Sequence, residues 1–337
     1  MKRWINDRLF VLLILVFIPG LFISFSTGET GYKTSLNTDF SSHDDIPDEV
    51  DLGASMDPSV DFIIVPLKNA GRLLLIDAII DNVQGNLVFD TGASGLVLNK
   101  TYFRKYISTS GQDSRGITGN VHDAEKVTAG TMNVSGLKYK GIPATVSDLS
   151  HIENRRGIKV IGLFGFELIR EFEVVIDAVN GQLMLYRIDK QGNRVNGSRD
   201  NYSGITDLAF SEKMNILFLS GVISGKQLKF CLDTGAETNA LDNSLSKTIL
   251  QTVTIERRSN LSGAGAARTE VLYGTMNDFA LGSAKIRNMK TIITNLDALS
   301  EAYGVGLDGM LGYDFITRGT ICINFVKRQF DMQFNKQ

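Results

Sequence analysis

The chain has 337 residues, 43% hydrophobic and 21% charged, with 35 Lys and Arg against 37 Asp and Glu. That length and apolar content exclude a disordered or fibrous chain and allow two or three domains with filled cores. Charge balance without a basic–aromatic cluster excludes a nucleic-acid partner, and two cysteines exclude a disulfide scaffold or a four-cysteine zinc site.

Lys2, Arg3 and Arg8 precede an uncharged apolar run, 9–25. A positive flank on such a run is the pattern of a signal-peptide core or a short span, and the flank stays in the cytoplasm. The sequence therefore predicts an exported protein (periplasm, cell envelope or secreted), with residues 1–26 either removed or kept as a membrane anchor. Residues 27–60 are polar and acidic, with scattered Gly, Ser and Pro, and are expected to be a flexible tether or pro-like segment.

Everything after residue 60 is one unit written twice. IIDNVQGNLVFDTGAS (79–94) aligns without gaps on VISGKQLKFCLDTGAE (222–237), and GLFGFELI (162–169) recurs as GMLGYDFI (309–316). Val175-Ile176-Asp177 likewise recurs as Cys322-Ile323-Asn324. The offset drifts only from 143 to 147 residues, as expected of a tandem duplication with small loop insertions. The copies span roughly 61–190 and 206–337, joined by a polar linker at 191–205. Short β-rich runs dominate each: 63–65, 73–80, 87–89 and 95–98, then 215–222, 228–232 and 240–241. Helices are expected at 100–107, 166–172, 243–252 and 313–318. Each copy is thus predicted to be a small, mostly antiparallel barrel-like unit, and the fold class mainly β.

Both copies carry Asp-Thr-Gly-Ala at the end of an apolar strand, as Asp90-Thr91-Gly92-Ala93 and Asp233-Thr234-Gly235-Ala236. Glycine there permits a tight turn, with positive φ available to it. Two close carboxylates cannot both ionise cheaply, so a pair brought together shares a proton. The ionised member can deprotonate a water while the protonated member polarises a carbonyl, with no metal, histidine or covalent intermediate. The three histidines, His43, His122 and His151, lack the spacing of a zinc hydrolase, and no Gly-x-Ser-x-Gly elbow occurs. No metal and no cofactor is expected.

These motifs resemble the aspartic proteases, in which two related lobes each contribute an Asp-Thr/Ser-Gly turn. Their second hallmark, an apolar pair followed by Gly late in each lobe, stands at Leu163-Phe164-Gly165 and Met310-Leu311-Gly312. The resemblance implies two homologous acid-protease lobes with an inter-lobe cleft, and Asp90 and Asp233 as the catalytic pair. It also implies that Thr91 and Thr234 hydrogen-bond across the interface and that Gly92 and Gly235 keep the backbone close to the carboxylates. Candidate flap tips, for closing a hairpin over substrate, are Gly116-Ile117-Thr118-Gly119 and Gly263-Ala264-Gly265.

Several features depart from the pepsin-type pattern. Ala93 and Ala236 replace the usual Ser or Thr, no Tyr lies between Tyr106 and Tyr139, and the Gly-Arg of retropepsins is missing after each apolar pair. Losing a hydroxyl that would bond the ionised carboxylate raises the expected working pH. Ser94 and Glu237 differ between copies, so the two sides of the cleft are expected to select different substrate groups. Cys231 and Cys322, in apolar strands, are expected to be buried thiols. The sequence thus predicts an aspartic endopeptidase acting on exported polypeptides as a monomer with pseudo-two-fold symmetry. The alternatives are a protease active only as a homodimer and a non-catalytic peptide-binding module.

Overall fold

The structure, a computed structural model, describes residues 54–106, 110–116, 119–197, 205–209, 211–213, 216–262 and 268–335. It is mainly β, with five short helices among the described residues: α1 (Lys100–Phe103), α2 (Ser150–Arg156), α3 (Lys247–Leu250), α4 (Asp297–Tyr303) and α5 (Tyr313–Ile316). The expected helices after each Asp-Thr-Gly turn shrink to single turns, α1 and α3, and the stretch 166–172 to a 3₁₀ turn at Phe166–Leu168. α2 and α4 were not expected. Both are seven residues long and end on a left-handed glycine, Gly157 (φ 64°) and Gly304 (φ 59°). That cap needs φ > 0, which glycine adopts without a Cβ penalty.

A six-stranded antiparallel sheet joins the two halves, in the order Phe62–Pro66, Gln182–Arg187, Phe172–Asp177, Gly319–Asn324, Gln329–Phe334 and Ile205–Ala209. Its middle pair carries the symmetry of the molecule. Val175 lies opposite Cys322, its own counterpart in the duplication, so the pseudo-two-fold axis passes between those two residues. Cys231 and Cys322 are both buried as thiols.

Each half adds its own sheet. In the first half six strands close into a ring through the pairing of Ile79 with Asn133; in the second, Ala280 of the short strand Phe279–Leu281 pairs with Val222, and the described strands form an open half-barrel. The expectation of mostly antiparallel units needs one refinement. The strand leading to each turn runs parallel to the strand that ends in the late apolar pair, with Phe89 beside Phe164 and Leu232 beside Leu311. This crossing places two chain segments side by side beneath each turn.

A large core takes side chains from both halves, among them Phe89, Phe164, Phe230 and Phe315. Two satellite clusters obey the duplication residue by residue. Leu73, Leu75, Val88, Ala93, Val97, Leu149, Ile152, Val160 and Leu163 in one correspond to Ile216, Phe218, Cys231, Ala236, Ala240, Leu296, Leu299, Leu307 and Met310 in the other. The second cluster also holds Tyr303, at the end of α4.

The packed chain begins before residue 61. Ser55 bonds the backbone of Lys138 in both directions and Met56 is buried, so the last part of the expected tether is attached to the first half. Within the expected linker, Arg194 bonds buried Glu173 at 2.7 Å, and Asn324 joins Glu173 to the Gly192 carbonyl. Residues 1–53, which include the predicted leader, lie outside the described residues. Among the described ones no helix is long and apolar enough to cross a membrane.

Candidate active site

The two Asp-Thr-Gly turns meet at the interface between the halves. Each is fixed first by its own strand ladder: Asp90 N–H donates to the Phe164 carbonyl and Asp233 N–H to the Leu311 carbonyl, both at 3.0 Å. The late glycines then seat the turns from below. Phe166 N–H donates to the Ala93 carbonyl and Tyr313 N–H to the Ala236 carbonyl. A Cβ on Gly165 would fall 2.3 Å from the Gly95 carbonyl oxygen, and one on Gly312 2.7 Å from that of Ala236. These positions are glycine because backbone passes where a side chain would stand.

Thr91 and Thr234 tie the turns together by four bonds that obey the two-fold. Thr91 Oγ1 donates to the Leu232 carbonyl (2.9 Å) and accepts from Thr234 N–H (3.1 Å); Thr234 Oγ1 donates to the Phe89 carbonyl (2.7 Å) and accepts from Thr91 N–H (2.9 Å). Each hydroxyl is used once as donor and once as acceptor, which satisfies four buried groups at the interface.

Gly92 and Gly235 serve a different purpose from the one their turns suggest. Neither has a positive φ. What they supply is space, since a Cβ on Gly92 would stand 2.7–2.8 Å from the Asp233 carboxyl atoms, and one on Gly235 2.6–2.8 Å from those of Asp90. Each backbone thus lies directly against the opposite carboxyl. Asp90 and Asp233 are 0% and 1% exposed. One oxygen of each accepts from its own turn, Asp90 Oδ1 from Gly92 N–H (2.9 Å) and Asp233 Oδ1 from Gly235 N–H (2.8 Å). Asp90 Oδ2 finds no donor among the described residues.

Burial dominates the electrostatics and raises both carboxyls. Asp233 is pushed up to about 6, with the Gly235 and Ala236 N–H groups pulling the other way. Asp90 is pushed well above the ordinary carboxylate range by burial, and then by the charge of Asp233. The pair therefore keeps one proton across a window that opens near pH 6. Among the described residues no three of His, Cys, Asp or Glu gather into a metal-holding cluster.

Of the flap candidates, the structure describes Gly116 and Gly119, which face each other at the end of the hairpin formed by Ser110–Gly116 and Gly119–Val134. The first of these strands reaches α4 of the other half. Ile117 and Thr118 lie outside the described residues, as do Gly263, Ala264 and Gly265; the second hairpin is paired out to Ser262 and Arg268.

Three side chains were missed in the sequence: two arginines that meet Glu237, a residue the sequence had singled out, and one buried tyrosine. Glu237, four residues beyond Asp233, is ion-paired with Arg156 of α2, and Arg72 Nη1 donates to its carbonyl at 3.5 Å. The third is Tyr303, the counterpart of Arg156, fully buried with its ring edge-on to Phe218 at 5.9 Å. Burial raises its phenol well above the ordinary range, and the charges of Cys231, Asp233 and Asp90 add to this. Its hydroxyl has no hydrogen-bond partner among the described residues. A buried unmatched hydroxyl costs about 1–3 kcal/mol, so Tyr303→Phe is expected to stabilise the protein by about 1 kcal/mol in denaturant unfolding. A loss of stability in that variant would overturn the assignment.

The signal for this last pair was present. At the offset of 147, Arg156 and Tyr303 each stand immediately before the glycine that ends a helix.

A family model described as aspartyl protease matches the chain twice, over residues 76–168 and 219–315, together more than half of its length. Each matched segment contains one of the two turns, and the segments start 143 residues apart. The comparison with curated proteins finds no match.

Proposed function

The chain belongs to the aspartyl protease family, and from that premise we propose that it is an endopeptidase in which Asp90 and Asp233 activate a water against the peptide bond of an exported polypeptide. The observation that carries this reading is the buried pair of carboxyls, one from each half, held by the four-bond threonine lattice. With one proton between them, the ionised member takes a proton from the water as its oxygen attacks the carbonyl carbon. The protonated member donates to the carbonyl oxygen and stabilises the tetrahedral intermediate. Collapse of that intermediate breaks the C–N bond as the carboxyl that took the water's proton passes it to the leaving amine and the other carboxyl recovers its proton from the oxygen, which restores the singly protonated pair. Substrate lies extended between the two halves beneath the hairpin that ends at Gly116 and Gly119. Because both turns belong to one chain, the lattice supports activity as a monomer rather than as a dimer of lobes.

The pH dependence follows from the pair. Activity requires the loss of one proton, so kcat/KM is expected to rise through about pH 6 and to remain high at neutral pH. Ala236→Ser offers the carboxylate a hydroxyl. A hydrogen bond to a charged group contributes about 1.5–3 kcal/mol, enough to move this limb toward acid by about one pH unit or more. The measurement is cleavage of a diverse peptide mixture by the full-length protein from pH 4 to 8, read by mass spectrometry, with a statine-type transition-state analogue as inhibitor. Cleavage that is fastest at pH 4 and falls steadily toward neutral pH would contradict the assignment. No cleavage at any pH would leave the non-catalytic peptide-binding alternative.

A further inference from the structure

The first hairpin is rooted differently from the second, and the difference lies in one turn. The strands Leu73–Ile80 and Val83–Phe89 are joined by Asp81 and Asn82 alone, with φ of 42° and 68°. Two left-handed residues in succession make a tight turn that follows the twist of its strands, and Asp and Asn are the residues besides glycine that tolerate it. The turn brings the Asp81 carboxylate against the strand Gly119–Val134. There it accepts from Gly130 N–H (2.8 Å), Thr131 N–H (2.7 Å) and Thr131 Oγ1 (3.0 Å). Asp81 N–H returns a bond to the Thr131 carbonyl at 3.1 Å. Gly130 makes room for the carboxylate, since a Cβ there would stand 2.8 Å from Asp81 Oδ1. From the other side the Tyr106 hydroxyl donates to Asp81 Oδ2, with its ring edge-on to buried Phe103 at 5.5 Å.

These partners stand at the two roots of the hairpin. Its paired part opens with Ser110 opposite Lys126; Tyr106 lies four residues before the one and Gly130 four residues beyond the other. A single carboxylate thus ties the outgoing chain to the returning strand, by four donated bonds of the stronger, charge-assisted kind. Among the described residues the second half has no such tie. Its turn, Ser224-Gly225, donates to Asp278 from Ser224 N–H (2.8 Å) and Oγ (3.3 Å). Carboxylate and donor have changed places there, and Asp278 follows the returning strand, which ends at Met276. The residues 143 and 144 places on from Tyr106 are Ile249 and Leu250, which carry no hydroxyl. Thr275, the counterpart of Thr131, gives its hydroxyl to Glu256 within the second hairpin. The tied hairpin is the one whose first strand reaches α4 of the other half.

Resting on the protease reading above, we propose that Asp81 and Tyr106 are positioning residues for catalysis, whose bonds across the root of the first hairpin keep it over the cleft in the free enzyme, ready to receive substrate. Neither touches the reacting atoms. A hairpin released at its root spends part of its time away from the cleft, and apparent affinity falls with the fraction that stays in place. Bound substrate holds the hairpin itself, so the chemical step is left unchanged.

The expected signature is an effect on KM. With full-length protein and one fluorescent peptide that the wild type cleaves, Asp81→Asn is expected to raise KM about tenfold and Tyr106→Phe about threefold, with kcat within about twofold of wild type in both. Asp278→Asn breaks the corresponding turn of the second half and serves as the control. It is expected to lower the melting temperature as Asp81→Asn does and to leave KM where it was. Hydrogen exchange in Ser110–Gly116 is expected to quicken in Asp81→Asn and Tyr106→Phe and to stay unchanged in the control. A merely structural Asp81 would make Asp81→Asn and Asp278→Asn alike in KM; that result, or a fall in kcat at constant KM, overturns the proposal. Should Asp81→Asn fail to fold, Tyr106→Phe, which deletes a single oxygen, carries the test. Binding of the same peptide to Asp90→Asn protein with and without Tyr106→Phe, read by anisotropy, separates the proposal from the reading it rests on. Absent cleavage with binding that Tyr106→Phe weakens would remove the protease reading and keep the tie; normal cleavage with KM unmoved in both variants would do the reverse.

Discussion

Asp90→Asn and Asp233→Asn are each expected to abolish peptide cleavage and at the same time to raise thermal stability at neutral pH. Asn keeps the shape of the side chain but cannot ionise, so the pair loses either its base or its shared proton. Removing a positioned acid or base costs about 10²–10⁴ in rate, and one that serves both roles in turn belongs at the upper end. The stability gain follows from the sign of the shift. A carboxyl raised in the folded state contributes stability that is fully present below its unfolded value, near 3.8, and is lost as pH rises through its folded value. For Asp233 that folded value is about 6, so by pH 7.5 its ionisation opposes folding by on the order of 2–3 kcal/mol. Neutralising one member also removes the like charge that its neighbour must face. The melting temperature of each variant minus that of wild type should therefore be near zero at pH 4 and grow by several degrees at pH 7.5. Comparing variant with wild type cancels carboxylates elsewhere that act with the opposite sign, such as Asp148, which is held low by bonds from Ser150. Variants that melt lower at every pH would mean that the carboxyls are structural members of the lattice.

How much of this was legible in the chain can be argued from particular residues. The turns were readable because Asp-Thr-Gly-Ala occurs twice behind an apolar strand at a constant offset, which two unrelated turns would not keep. The equivalence of Val175 and Cys322 was also readable, but their becoming direct neighbours across the axis was not. An offset states which residues correspond, and says nothing of which surfaces meet. The parallel pairing of the strand ending at Phe89 with the one ending at Phe164 was hidden for a similar reason: buried strands read as apolar runs whichever way their neighbours point. α2 and α4 escaped because seven residues give fewer than two turns of periodicity, leaving their terminal glycines as the only strong mark. Arg156 was missed because its role depends on the reach of a long side chain into the other half, and local patterns do not encode reach. Ser55 and Met56 fell inside a polar acidic stretch whose composition masked one buried methionine.

The last expectation separates two classes of glycine that look alike in the motif. Gly92→Ala is expected to leave the protein folded and reduce cleavage about 10²-fold or more, whereas Gly165→Ala is expected to unfold it. Both introduce a methyl group into occupied space, but the occupants differ. At Gly92 the methyl meets the Asp233 carboxyl at 2.7–2.8 Å. That carboxyl is the end of a side chain and can rotate away, so the fold yields locally and the dyad takes the damage. A displacement approaching 1 Å within a reacting pair costs on the order of 10²-fold. Gly235→Ala should behave alike, acting on Asp90. At Gly165 the methyl meets three backbone atoms, the carbonyl oxygens of Gly95 and Ala93 at 2.3 and 2.6 Å and the Gly95 N at 2.8 Å. The backbone of this buried turn, held by the bond from Phe166 N–H to the Ala93 carbonyl, cannot rotate out of the way, and overpacking of this kind costs several kcal/mol, a large part of the stability of a typical domain. Denaturant unfolding and a cleavage assay on the three variants suffice to compare them. If Gly92→Ala lost its fold together with its activity, the glycine would be serving the turn, and the close approach of backbone to carboxyl would not be the reason for its place beside the dyad.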